Sequence, residues 1–115
     1  MENTLRMTLL FDFYGLLLTD RQQDVFQMYF HEDLSLGEIG DELEVSRQAI
    51  YDILKRVAFI LEEFENKLGL VKKHQERQTI YGEILRLVDL LRADGQDSPH
   101  VTAIEDNIQK ARTTS

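Results

Sequence analysis

Residues 34–56 read LSLGEIGDELEVSRQAIYDILKR, and this stretch decides the fold. Ser35 is followed three residues later by Glu38. That is the spacing of a capping box, in which the hydroxyl takes the third helical amide and the carboxylate returns to the serine amide. Leu36, Ile39 and Leu43 then fall at i, i+3 and i+7, one face of a short helix. Glu44-Val45 reads as a turn, and Ser46 supplies the next N-cap. From Arg47 onward Ile50, Ile53, Leu54, Val57, Leu61, Phe64 and Leu68 carry one helical stripe as far as Gly69, a C-terminal glycine. Two helices joined by a tight turn, with the small residues Gly40 and Ala49 where they approach, form the layout of a helix-turn-helix.

The same periodicity continues in both directions. Upstream, Asn3 to Leu18 is expected to be one helix, with Met7, Leu10, Phe11, Tyr14, Leu17 and Leu18 in its stripe and Leu9, Phe13 and Leu16 widening it. Thr19 and Gln22 form another capping box, opening a helix to about Phe30 that buries Val25, Phe26, Tyr29 and Phe30. Downstream, the spacing predicts a helix over Val71–Ala93. Its stripe is Ile80, Ile84, Leu87, Val88 and Leu91, with Leu85 and Leu90 at the edges. Asp94 to Asp97 is a polar turn, and Ser98-Pro99 is an N-cap followed by proline at the first helical position. The last helix carries Val101, Ile104, Ile108 and Ala111 on a narrow a/d-like seam, and Thr113-Thr114-Ser115 reads as a fraying end. The fold class is therefore all-α: a helix-turn-helix bundle over residues 1–70 and a C-terminal helical extension over 71–115.

Composition narrows the chemistry. The chain of 115 residues is 43% apolar and 30% charged, as globular proteins are, and has no cysteine. Disulfide frameworks, thiolate zinc sites and thiol catalysis are excluded. Met1-Glu2 lacks the basic start of a signal peptide. The apolar run Leu5–Leu18 is too short for a membrane span and contains Asp12. His31, His74 and His100 show no metal-ligand spacing, and neither a Gly-rich phosphate loop nor a serine elbow is present. Glu62-Glu63 and Asp41-Glu42 read as solvated helix surface. Phe11, Phe26, Tyr29, Phe59 and Phe64 read as core because they sit in helical stripes. An enzyme is not expected, nor a cofactor or a metal.

The candidate site is the start of the helix capped by Ser46. Arg47 can bond a guanine edge and Gln48 an adenine edge in a major groove. Tyr51, Lys55 and Arg56 can reach phosphates, with Arg21 adding a backbone contact. Charge argues against this reading. The formal net charge is −8, and residues 1–70 hold 6 basic against 14 acidic side chains, whereas residues 71–115 hold 7 of each. Glu38, Asp41, Glu42 and Glu44 crowd the approach to the short helix. The residues therefore leave two partners open: DNA, or a protein or ribonucleoprotein. For the second, Lys72, Lys73 and Arg77 are the candidate RNA or partner contacts, against the plainer reading of a solvated helix face. The last two helices either close the core or pair with a second copy in a homodimer.

Over Thr19–Arg56 the chain resembles region 4 of bacterial sigma factors, with Glu38, Ile39, Gly40, Ser46 and Ile50 at the motif positions. More closely, and over most of its length up to about Val71, it resembles the YlxM family of small bacterial proteins, chiefly through LLFDFYGLLLTDRQ (9–22) and ELEVSRQAIYDILKR (42–56). The resemblance implies a helical, winged-helix-like or sigma region 4-like first half, a cytoplasmic location and a DNA-binding regulatory role. It also implies a tie, by gene neighbourhood, to the signal recognition particle pathway, whose GTPase or RNA is the alternative partner. One position departs from the sigma pattern: the turn glycine is Glu44. A left-handed conformation there would cost a non-glycine residue roughly 1 kcal/mol.

Overall fold

Hydroxyls and carboxylates set where the helices begin. The computed structural model describes residues 3–114. Asn3 Oδ1 accepts the Arg6 amide at 3.1 Å and opens α1, Thr4–Tyr14. Thr19 and Gln22 bond each other's amides reciprocally (3.2 and 3.0 Å) ahead of α2, Asp20–Phe30. Ser35 and Glu38 do the same (3.1 and 3.0 Å) ahead of α3, Leu36–Leu43. Ser46 Oγ accepts the Ala49 amide at 3.0 Å and opens α4, Arg47–Leu68. The chain continues as α5, Leu70–Ala93, and α6, Pro99–Thr114. Ser98 Oγ accepts the Val101 amide at 3.4 Å. The Thr113 and Thr114 hydroxyls donate to the Lys110 carbonyl, so α6 holds its last turn; Ser115, placed with the fraying end, lies outside the described residues. Those residues contain no strand, so no β-wing accompanies the helix-turn-helix.

The expected first helix is shorter than its apolar run. The α-helix stops at Tyr14, Gly15–Leu17 tighten into a 3₁₀ turn, and Leu18 is extended at φ −82° and ψ 159°. Three residues per turn instead of 3.6 rotates the following side chains off the stripe. Leu17, expected in the core, is consequently exposed, as is Leu16, at 90%. Leu18 is buried and leads into the Thr19 cap.

The chain divides into two compact units at Val71/Lys72. In the first, α4 is the central rod. Its Ile50 and Leu54 join Val25 and Ile39 in one cluster, while Val57 and Leu61 join Leu10, Tyr14, Leu18, Phe26 and Val71 in another. Phe11 stacks on Phe26 with ring centroids 4.1 Å apart and planes 5° off parallel. At the far end of α4, Gly69 turns the chain at φ +62°, a left-handed geometry that favours glycine. The start of α5 is then satisfied from outside itself. Tyr14 Oη accepts the Leu70 amide at 3.1 Å and donates to Glu65, whose same carboxylate oxygen accepts the Val71 amide at 3.1 Å. Burial pushes the Tyr14 phenol above its ordinary value, and the bond to Glu65 adds to the shift.

In the second unit α6 runs back along α5. Gln78 donates to the Arg112 carbonyl at 3.2 Å, and Arg92 reaches Glu105 at 2.6 Å and Asp97 at 3.4 Å. The side of α5 so engaged is Gln78, Tyr81, Leu85, Val88 and Arg92, all half-buried or buried. The expected stripe is thereby split. Val88 and Leu85 face inward, Ile84 is half-buried, and Ile80, Leu87 and Leu91 stay exposed, because one partner helix covers a narrower arc than α5 makes apolar. On α6, Val101 is buried while Ile104 is exposed.

Glu62, read from the sequence as solvated, takes a bidentate pair of bonds from Arg6 at 2.7 and 2.8 Å, fastening α1 to α4. That hydrogen bonding holds the Glu62 carboxyl below its ordinary value of 4.5. The fold therefore favours the ionised form: the contribution is fully present above pH 4.5 and is lost as pH falls through the lowered folded value. Replacing Arg6 with Gln should flatten the acid limb of a stability-against-pH curve measured by urea unfolding, with little change of slope at neutral pH.

Candidate nucleic-acid interface

The turn between α3 and α4 is built on a missing side chain. A Cβ at Gly40 would stand 2.7 Å from the Val45 carbonyl oxygen, 3.3 Å from the Ser46 carbonyl carbon and 3.4 Å from the Arg47 amide nitrogen. All three are backbone atoms and cannot swing aside. Glu44 reverses the chain in the left-handed region at φ 59° and ψ 41°. The Val45 amide closes the turn on the Gly40 carbonyl at 2.9 Å, the long-range bond of a Schellman ending. The position flagged as the departure from the sigma pattern is thus left-handed without glycine.

This turn brings the N-terminal end of α4 to the surface. Ser46, Arg47, Gln48, Tyr51, Lys55 and Arg56 are all exposed, while Ile50 and Leu54 on the opposite side are fully buried. Among the described residues the side chains of Arg47 and Lys55 make no hydrogen bond or ion pair. Gln48 is committed differently: its Nε2 donates to Asp52 Oδ1 at 3.0 Å, so an adenine edge would have to displace an internal bond one helical turn away. Arg56 lies over the Phe59 ring, 5.9 Å from its centroid, a cation–π arrangement. Phe59, expected in the core, is 58% exposed. The expectation fails because Phe59 is not in the Ile50–Leu68 stripe: its helical neighbours are Asp52, Lys55 and Arg56, on the solvent side of α4.

Arg21 stands exposed in the first turn of α2, on a different helix from the other candidates. Lys72, Lys73 and Arg77 are exposed on α5 in the second unit. Glu38, Asp41, Glu42 and Glu44 are exposed along α3 and its turn. Glu38 is kept ionised by the Ser35 amide, which lowers its carboxyl below 4.5. No group of three or more His, Asp or Glu side chains among the described residues can hold a metal ion, and no described helix is long and apolar enough to cross a membrane.

Residues 1–101 match the model of a family described as "Putative helix-turn-helix protein, YlxM / p13 like". The chain belongs to this family. A UPF0122 protein of Thermoanaerobacter sp. (strain X514) is 48% identical over 105 residues, spanning 91% of this chain and 90% of the relative. A UPF0122 protein of Caldanaerobacter subterraneus subsp. tengcongensis is 60% identical over 75 residues, 65% of this chain and 64% of the relative. One from Bacillus thuringiensis (strain Al Hakam) is 50% identical over 88 residues, 76% of this chain and 80% of the relative. The family's description names a helix-turn-helix protein.

Two substitutions test the turn. Gly40→Ala should destabilise the fold by about 1–3 kcal/mol, since the new methyl meets fixed backbone. Glu44→Gly should stabilise it by up to about 1 kcal/mol by relieving the left-handed conformation. Urea midpoints at constant slope measure both.

Proposed function

We propose that this chain is a DNA-binding regulatory protein of the bacterial cytoplasm that docks the N-terminal end of α4 in a major groove. The observation that carries the reading is Arg47: exposed, without an internal partner among the described residues, and fixed on the first turn of a capped helix whose other side is core. A helix N-terminus presented in this way is the reading end of helix-turn-helix proteins, and its first amides favour phosphate. In this reading Arg47 contacts a guanine edge. Ser46 and Arg21 lie near the backbone, and Tyr51, Lys55 and Arg56 hold phosphates. Gln48 contributes to base choice only after leaving Asp52.

Phe59 favours a second reading. An exposed aromatic ring carrying a guanidinium on the same helix is suited to a protein surface or to unstacked RNA bases more than to duplex phosphates. This supports a protein or RNA partner; with the tie that the family resemblance implies, the reading is an accessory factor that grips the GTPase or RNA of the signal recognition particle.

Fluorescence anisotropy against duplex DNA, selected from a random pool and titrated at low and high salt, tests the first reading. Affinity should fall with salt with a slope set by the phosphates contacted. Arg47→Ala should cost about 1–3 kcal/mol at one base position and relax preference there, whereas Lys55→Ala should weaken all sequences alike. Absence of binding at low salt would remove the DNA reading. Retention of the particle's RNA or GTPase by the same protein, lost in Phe59→Ala, would establish the second.

A further inference from the structure

The outward side of α5 carries Ile80, Ile84, Leu87 and Leu91, spaced four, three and four residues apart. That is the 3.5-residue repeat of a coiled-coil seam, not the drifting 3.6 stripe of a helix lying on a globular core. The seam is distinct from the side turned toward α6, which is Gln78, Tyr81, Leu85, Val88 and Arg92. Ile80, Leu87 and Leu91 are 56%, 47% and 36% exposed, and Ile84 between them is half-buried. A regular aliphatic seam on a 24-residue helix is thus left largely uncovered by the described residues.

We propose that this seam pairs, antiparallel, with the same seam of a second copy. The stripe is its own complement. A twofold axis between Leu85 and Arg86 sets Ile80 against the second copy's Leu91 and Ile84 against its Leu87, so both aliphatic layers are filled with no polar residue between them. Three residues further out, one seam position on, the same axis sets Arg77 against the second copy's Asp94, at both ends of the seam. Asp94 still keeps helical register, its amide bonding the Leu90 carbonyl at 3.0 Å. The two ends are thus closed by opposite charges. A parallel pairing would instead set Arg77 against Arg77 and Asp94 against Asp94, which is repulsive. Residues that match i to j and j to i are what an isologous contact requires and what a foreign partner does not. The seam is short, below the roughly 1,200–2,000 Å² of a standard interface, so the pairing is reversible and depends on protein concentration. It does not depend on what α4 reads.

Sedimentation velocity on the full chain, from about 1 to about 200 µM, follows the pairing through its mass dependence. The expected result is a shift from the 13.5 kDa monomer to twice that mass as concentration rises. Leu87→Lys should abolish the shift while circular dichroism keeps its helix signal, because residue 87 is already half in solvent. Arg77→Asp should weaken pairing several-fold at low salt, and Arg77→Asp combined with Asp94→Arg should restore it. A monomer at every concentration, a dimer indifferent to Leu87→Lys, or a double variant no tighter than Arg77→Asp alone overturns the proposal.

Discussion

A single absent methyl group organises the first unit. Because Gly40 has only hydrogen on its α-carbon, α3 can lie directly on the Val45–Arg47 backbone, closer than any side chain permits. That contact fixes where α4 starts relative to α3, and α4 in turn carries both hydrophobic clusters. The exposed Arg47 and the buried Ile50 and Leu54 are therefore two faces of one constraint. Closing the turn also demands a left-handed residue, and Glu44 occupies that conformation at some conformational cost.

Electrostatics at the tip of α4 is a contest between near and far charges. At cellular salt the Debye length is about 8 Å, so the acids elsewhere in the first unit are largely screened, while those on α3 and its turn are not. Glu38 is ionised and committed to Ser35, and Asp52 sits within the candidate surface and engages Gln48. Such a surface offers little sequence-independent attraction to a polyanion. Selectivity here has to come from shape and from particular hydrogen bonds, which puts the weight on Arg47.

Much of the fold was legible because its boundaries are chemical and local. Thr19, Ser35 and Ser46 announce helix starts by side chains that reach only three residues ahead, and Gly69 announces an end by its backbone freedom. All four stand where spacing predicts. What was not legible depends on neighbours distant in sequence. The 3₁₀ turn at Gly15–Leu17 preserves an apolar run while turning Leu16 and Leu17 outward. Phe59, by contrast, stands opposite the Ile50–Leu61 stripe and in line with Asp52, Lys55 and Arg56, so its exposure follows from the helical spacing itself. The α5 stripe is one arc in the sequence and two seams in three dimensions. Glu62 looks like its neighbour Glu63 until Arg6, 56 residues away, is seen to hold it. For the candidate site, the exposed set at the start of α4 followed from the cap and the stripe, whereas the tether between Gln48 and Asp52 needed side-chain geometry.

The junction at Gly69 bears on the order in which the molecule assembles. A helix is costly to start and cheap to extend, because its first turn fixes several residues before any hydrogen bond compensates. Here the opening amides of α5 find acceptors on Tyr14 from α1 and Glu65 from α4, and those two groups are in place only once the first unit has folded. Nucleation of α5 is thus templated by structure already formed behind it. The remaining 22 residues of that helix extend from a first turn whose amides these acceptors hold, so the cost of starting the helix is offset at that end.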